Sequence, residues 1–394
     1  MLPETDPTVL TPLRTADFDY ALPTDLIAQA PVAERDRSRL MVLDRRTGAP
    51  HHRIFRDLPD YLRPGDLLVI NEAKVIPARL LGRSDRRDRI EVLLLQEVGL
   101  DSSSRHAGID CREALIRPSR RVRAGDRLTL ADDTITAEVI EKRGEGRHLL
   151  RLVYDGQLGD LLWRFGQMPV PPYIKRQGMG GGGWGLGQDN TASSTLGSST
   201  PSPNPHPLPP GTLDRERYQT VYARYEGAIA APTAGLHFTP ELIETLTQAG
   251  VVIAPITLYV GPGTFRPVRV ENVGQHRMEA ERYVVPEQTA LAVKSARREG
   301  RRVIAVGTTT VRVLEHAAAM GEIRAGTGLT DLFIYPGYRF QTIDALITNF
   351  HLPRSTLLML VAAFTGREAI LAAYGEAVTR RYRFYSYGDA VLIL

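Results

Sequence analysis

"GAIAAPTAGLHFTPEL" (residues 227–242) begins as a short buried strand and ends as the first turn of a helix. Between the two sits a polar elbow, Pro232-Thr233-Ala234-Gly235, followed by His237. A strand that turns directly into a helix is the unit of a layered α/β fold, because the helix must pack back onto the sheet. The small residues of the elbow leave its backbone open to a ligand. Thr239 reads as the helix cap, with Pro240 at the first helical position and Gly250 as the stop.

The same pattern recurs twice. "RRVIAVG" leads through "GTTTVR" (307–312) into "VRVLEHAAAMG", and "DALITNF" leads through "TNFHLPRST" (348–356) into "STLLMLVAAFTG", where Ser355 and Gly366 mark the helix ends. If the strands are parallel, all three elbows lie beyond strand C-termini on one edge, where open α/β sheets bind ligands. Helix N-termini there offer free N–H groups and partial positive charge to an anion.

Upstream the texture differs. From Gly65 to about Tyr154 seven short Val/Ile/Leu-rich segments alternate with Gly, Asp and Arg turns and no helical period interrupts them, which predicts a small barrel or sandwich. The N-terminal "LPTDLIAQAP" and "SRLMVLDR" again read as α/β. The expected architecture is an α/β domain with a largely parallel sheet (1–64 and 156–394), interrupted by an inserted all-β, barrel-like domain (65–155). Residues 177–212, rich in Gly, Ser, Thr and Pro, read as a flexible loop.

Composition bounds the function. The chain has 394 residues, 43% hydrophobic and 24% charged, as in an ordinary globular protein. Its longest apolar run, "LLMLVAAF" (357–364), is far short of the ~20 residues that span a bilayer. No secretory signal is visible at the N-terminus, so a cytoplasmic protein is expected. Cys111 is the single cysteine, and the nine histidines lack metal-ligand spacing, so no metal site is expected. Of the 49 basic residues only Lys74, Lys142, Lys175 and Lys294 are lysines. The arginines cluster in "RSDRRDR" (83–89), "RPSRRVR" (117–123), "RREGRR" (297–302) and "RRYR" (380–383), a pattern suited to phosphate or carboxylate recognition.

The candidate chemistry gathers at the elbows. His237 and His351 are candidates for proton transfer, with His276 and Glu281 of "GQHRMEAERYVV" (274–285) as a second acid–base pair. Candidate ligand-binding residues are Thr233, Gly235, Thr308, Thr309, Thr310, Arg312, Asn349, Phe350, Arg354 and Ser355, joined by Arg35 and Arg39 of "ERDRSR" (34–39) as anion ligands. Taken singly, each has a plainer explanation: a cap, a core histidine, a surface ion pair. Their convergence on one rim argues otherwise. "VGPGTF" is no dinucleotide fingerprint, and no P-loop or nucleophile elbow is present.

Several long stretches resemble one family, the bacterial S-adenosylmethionine:tRNA ribosyltransferase-isomerases of queuosine synthesis. They include "YALPTDLIAQAPVAERDRSRLMVL", "GDLLVINEAKVIPARL", "ITLYVGPGTFRPV", "VIAVGTTTVRVLE", "TDLFIYPGYRF" and "LITNFHLPRSTLLMLVAAFTG", in the family's order along nearly the whole chain. The 177–212 stretch looks like an insertion, and "HRMEAE" has Glu279 where members commonly carry a second histidine. The resemblance implies an α/β domain with an inserted β-barrel. It also implies transfer and isomerisation of the ribosyl group of S-adenosylmethionine onto the aminomethyl-deazaguanine (preQ1) base at the tRNA wobble position. The products would be epoxyqueuosine, adenine and methionine, with S-adenosylmethionine a substrate and no cofactor. Arg86, Arg87, Arg120 and Arg121 of the barrel are the expected RNA contacts, and a monomer without an obligatory protein partner is expected. The alternatives are a non-catalytic RNA-binding protein or an S-adenosylmethionine-dependent methyltransferase.

Overall fold

The computed structural model describes residues 12–97, 108–120, 122–176, 210–265 and 268–394. The Gly/Ser/Pro-rich loop up to residue 209 and Arg121 lie outside these residues, as does the side chain of Arg87. The chain opens with a hairpin, β1 (Arg39–Leu43) and β2 (Pro50–Ile54), then β3 (Leu67–Asn71) and the short β4 (Ala73–Val75). Six strands follow, β5 (Arg79–Ser84), β6 (Arg87–Glu97), β7 (Ile109–Arg117), β8 (Arg127–Leu130), β9 (Ile135–Gly144) and β10 (Arg147–Tyr154). They close into an antiparallel barrel in the order β10-β7-β6-β5-β8-β9. Helix α1 (Leu158–Phe165) contributes Leu158 and Leu162 to the barrel core.

The return to the α/β layer runs through α2 (Pro210–Arg217), β11 (Tyr225–Ala228), α3 (Pro240–Gln248), β12 (Val252–Leu258) and β13 (Glu281–Val285). It continues with α4 (Glu287–Arg298), β14 (Val303–Val306), α5 (Thr308–Ala317), β15 (Gly326–Thr330) and β16 (Ala345–Asn349). Last come α6 (Thr356–Thr365), α7 (Arg367–Thr379) and β17 (Ala390–Ile393). Nine strands form one sheet in the order β15-β13-β12-β3-β14-β16-β17-β1-β2.

Two expectations need correction. The sheet is mixed, not largely parallel: β12, β3, β14 and β16 are parallel at its centre, as are β17 and β1, whereas both flanks and the β16–β17 junction are antiparallel. The inserted domain is also smaller than 65–155, because β3 lies in the middle of the large sheet and the barrel strands begin at Arg79. The reason is visible in β3 itself. All five of its residues are buried, with Leu67 and Val69 in one apolar layer and Leu68 and Ile70 in the other. A strand apolar on both faces is stable only where helices cover both sides. Helix α3, through Leu242 and Leu246, covers one face; residues of α4, α5, α6 and α7 cover the other.

The helix ends follow the sequence. Thr239 accepts a hydrogen bond from the Leu242 N–H (3.1 Å), and Ser355 accepts one from Leu358 N–H (3.2 Å). Among the described residues no single helix is long and apolar enough to cross a membrane.

Candidate active site

Three chain segments meet at the C-terminal edge of the parallel strands. Strand β11 is not part of the large sheet; it pairs with β4. Its continuation nevertheless reaches the rim, because the N–H groups of Ile229 and Ala230 both donate to the Val260 carbonyl just beyond β12. The elbow that follows is a tight 3-10 turn, Thr233–His237, before α3 begins. Beside it lie the α5 N-terminus after β14 and the "NFHLPRS" turn between β16 and α6.

These walls enclose a cavity of about 730 Å³, including its open mouth. Its lining includes Thr233, Thr308, Thr309, Asn349, Phe350, His351 and Ser355 from the expected set. Gly307, at φ +90°, turns the chain from β14 into α5 at the cavity wall, a backbone shape that strains any other residue. Among the described residues no Asp, Glu, Lys or Arg lines the cavity. Two 10-residue helices, α5 and α6, aim their N-termini at it.

Asn349 is the pivot. Its Nδ2 donates to His237 Nε2 (3.1 Å) and to the Tyr385 carbonyl (3.1 Å). Both amide protons are therefore used, which fixes the amide orientation and leaves Oδ1 as a buried acceptor without a partner among the described residues. His237 is held in turn: Nε2 accepts, so Nδ1–H donates to Ser38 Oγ (2.7 Å), and the ring stacks on Phe55 at 5.0 Å. Burial, then the nearby Arg35 and Arg383, lowers the His237 pKa to about 3, so the ring is neutral. His237 is not on the cavity surface; it stands one layer behind and positions Asn349.

His351 does line the cavity. Its Nε2 meets Thr348 Oγ1 at 2.8 Å, its N–H donates to the Tyr374 hydroxyl (3.1 Å), and its carbonyl accepts from the Tyr20 hydroxyl (2.5 Å). Burial alone lowers its pKa to about 3. Thr309 Oγ1 and the Tyr385 hydroxyl are likewise buried and unpartnered among the described residues. Three cavity-lining residues thus carry a polar atom that the protein leaves unsatisfied, each at a cost of about 1–3 kcal/mol.

Other expected residues do different work. Gly235 faces no ligand: a Cβ there would sit 2.1 Å from the Tyr222 hydroxyl, so the glycine is needed for packing. Thr310 returns its hydroxyl to the Val306 carbonyl (2.7 Å). Arg312 and Glu281 form a buried ion pair; Arg312 also donates to the Leu332 carbonyl (2.9 Å), and Glu281 accepts from the Gly261 N–H (2.9 Å). That pair ties α5 to β13 and cannot serve as free acid or free anion ligand. His276 lies away from the cavity with its ring edge on Phe333, burial lowering its pKa. Arg354, at φ +58°, is ion-paired with Asp19, and Arg39 stacks on Tyr382 at 3.6 Å while donating to the Arg380 carbonyl (2.8 Å). Arg35 donates to the carbonyls of Leu236 and Glu216, both at 3.1 Å. On the barrel, Arg86 is paired with Asp126 at 3.2 Å, and Arg120 is exposed.

Sequence reasoning missed Tyr173, Thr348, Tyr385 and Ser386 on the cavity wall and Ser38 behind it. The rings of Tyr173 and Tyr385 lie 4.4 Å apart, and Tyr173 shares a 2.6 Å hydrogen bond with Ser386. Tyr385 sits at φ +74°, a conformation rarely tolerated by an aromatic residue. Its place in "FYSYGDA", an aromatic run interrupted by Ser and Gly before the last strand, was the available signal.

A model of the queuosine biosynthesis protein family matches residues 15–393. The chain belongs to this family. It is 51% identical over 385 residues to the S-adenosylmethionine:tRNA ribosyltransferase-isomerase of Moorella thermoacetica, covering 97% of this chain and 100% of that protein. It is 48% identical, with the same coverage, to the enzyme of the same name from Heliobacterium modesticaldum. The crystal structure of the S-adenosylmethionine tRNA ribosyltransferase of Thermotoga maritima superposes with a TM-score of 0.50 at 38% identity, covering 96% of this chain and 100% of that one. Among the described residues no group of three or more His, Cys, Asp or Glu side chains is placed to hold a metal ion.

Proposed function

We propose that the protein is an S-adenosylmethionine:tRNA ribosyltransferase-isomerase. In this reading it transfers and rearranges the ribosyl group onto the aminomethyl-deazaguanine at the tRNA wobble position, giving epoxyqueuosine and releasing adenine and methionine. Family membership supports the activity, and the observation that carries the chemistry is the uncharged cavity with its unsatisfied polar atoms.

The substrate carries a sulfonium cation, a carboxylate, an amine and a nucleoside. The carboxylate suits a helix N-terminus, at α5 or α6. Among the described lining residues the sulfonium finds no carboxylate, and the ring faces of Tyr173 and Tyr385 can accept it. Holding a cation without a counter-charge weakens it relative to the neutral species formed when the adjacent C–H loses its proton. His351 is the imidazole on the described wall. Transfer of that proton to its imidazole leaves the total charge of the cavity unchanged, so burial, which depresses the His351 pKa, does not oppose the exchange. Thr309 Oγ1 and Asn349 Oδ1 are left to hydrogen-bond ribose or base. His237 acts through Asn349. Arg86, Arg87, Arg120 and Arg121 are retained as RNA contacts of the barrel.

Incubation with S-adenosylmethionine and tRNA bearing the aminomethyl precursor should release adenine and methionine in equal amounts. S-adenosylhomocysteine instead would make the protein a methyltransferase, and binding without turnover would make it an RNA-binding protein.

A further inference from the structure

Behind the cavity wall at Tyr173 a strap of main chain, residues 29–33, is gripped by arginines from three other segments. Arg217 of α2 donates to the carbonyls of Val32 (2.7 Å) and Ala33 (2.9 Å), Arg383 donates to the carbonyl of Ala30, and Arg176 donates to that of Gln29 (2.8 Å). Gln29 Nε2 in turn donates to the carbonyl of Tyr173, a wall residue of the cavity (2.9 Å), and Arg383 lies two residues before Tyr385, another. Arg35, at the other end of the strap, holds the Leu236 carbonyl in the first elbow.

The charges here are unevenly matched. Arg176 has its carboxylate, a two-pronged contact with Asp214 at 2.7 and 2.8 Å. Among the described residues Arg35, Arg217 and Arg383 hydrogen-bond through their side chains to carbonyls alone. Arg217 Nε is buried without a partner. The carboxylate beside Arg383, Asp389, is turned to the backbone N–H groups of Arg39 and Arg383, while Glu216 beside Arg35 and Arg217 is exposed. Burial lowers the pKa of all three arginines, and Arg217 lowers that of Arg35 further. A guanidinium that has lost water without gaining a carboxylate is a site waiting for an external anion.

We propose that Arg217 and Arg383, with Arg35, form a docking surface for the phosphate backbone of the tRNA beside the cavity, in addition to the barrel arginines. The proposal rests on the function above only for the identity of the nucleic acid. Phosphates flanking a base inserted into the cavity would lie along the strap, where the guanidinium charge and the N–H bonds not given to carbonyls meet them.

The test is equilibrium binding of tRNA bearing the aminomethyl base, without S-adenosylmethionine, across a salt series. Arg383→Gln and Arg217→Gln should each weaken binding roughly 5- to 10-fold at low salt and flatten the slope of log affinity against log salt by about 0.7–0.9. Arg383→Lys and Arg217→Lys, which keep the charge, should retain the wild-type slope. A loosened strap could weaken binding in any of the four variants but would leave the slope alone. Equal slopes in the wild-type and Gln proteins therefore overturn the proposal, as does an equal flattening in the Lys proteins. Absence of adenine release in the turnover assay, with these slopes as expected, would count against the enzyme activity and not against the surface.

Discussion

Lowering the pH from 7.5 to 5.0 should destabilise the protein through its two buried histidines, and replacing one of them should remove a defined share of that loss. His237 and His351 are buried, and burial takes each from an ordinary value of 6.5 to about 3. The unfolded chain protonates these imidazoles below pH 6.5 while the folded chain keeps them neutral down to about pH 3. Their contribution is complete above pH 6.5 and is lost as the pH falls through that window. At pH 5.0 the imbalance is about 1.5 pH units per histidine, or about 2 kcal/mol each. Most carboxylates remain ionised at this pH, but His148 and His276, also lowered by burial, add to the loss, so the informative quantity is a difference. Urea denaturation of the wild type and of His351→Gln at both pH values measures it. Glutamine can keep a hydrogen bond to Thr348 and does not titrate. The variant should lose about 2 kcal/mol less than the wild type between pH 7.5 and 5.0. Equal losses, within about 0.5 kcal/mol, would refute a neutral, enclosed imidazole on the cavity wall.

Two further substitutions separate ligand contacts from scaffold. Thr309→Val keeps shape and removes a buried hydroxyl that has no partner; stability should rise by about 1 kcal/mol while KM for S-adenosylmethionine rises roughly 5- to 20-fold. A lower melting temperature with unchanged KM would show that the hydroxyl serves the fold. Arg312→Ala should cost about 3–5 kcal/mol by removing one partner of a buried ion pair, and Arg312→Met combined with Glu281→Gln should recover most of it. In that double variant KM for S-adenosylmethionine should stay within about twofold of wild type; a large rise would return Arg312 to the ligand-binding residues.

The parts legible in the sequence are those set by local chemistry. Thr239 and Ser355 cap their helices because a side-chain oxygen can reach an N–H three residues on, and that depends on nothing distant. The rim was legible for a related reason: each strand, elbow and helix follows in sequence, and the parallel centre brings the elbows after β14 and β16 to one edge, whereas the first elbow follows β11 outside that sheet and reaches the rim through the Val260 carbonyl. What failed depended on partners far along the chain. Strand β3 is as rich in Leu, Val and Ile as any barrel strand, and its placement between β12 and β14 is set by pairing across more than 180 residues. The antiparallel entry of β17 follows from the α6–α7 return and leaves no mark on its composition. Arg312 sits one turn after Thr308 on the same helical stripe, which made it a reasonable ligand. Its guanidinium is instead paired with Glu281, away from the cavity lining. Tyr385 was missed because a positive φ at a tyrosine is imposed by tertiary packing and cannot be read from residue type.

The wall of the cavity is built in two layers with opposite hydrogen-bond accounting. The rear layer is satisfied: Ser38, His237 and the Nδ2 of Asn349 use their donors and acceptors on one another and on the backbone. The front layer is left open at Thr309 Oγ1, Asn349 Oδ1 and the Tyr385 hydroxyl. The second arrangement requires the first. An unsatisfied amide free to rotate would turn its oxygen toward any nearby donor, and the acceptor would be lost to a ligand. Because His237 accepts one amide proton and the Tyr385 carbonyl the other, rotation would exchange two hydrogen bonds for repulsive contacts between oxygen and an acceptor. Histidine suits the rear position because burial keeps its Nε2 unprotonated and accepting across the physiological range. The residue that first drew attention as a catalytic base is thus better explained as the group that holds a neighbouring acceptor in place, and its depressed pKa is the physical condition for that work.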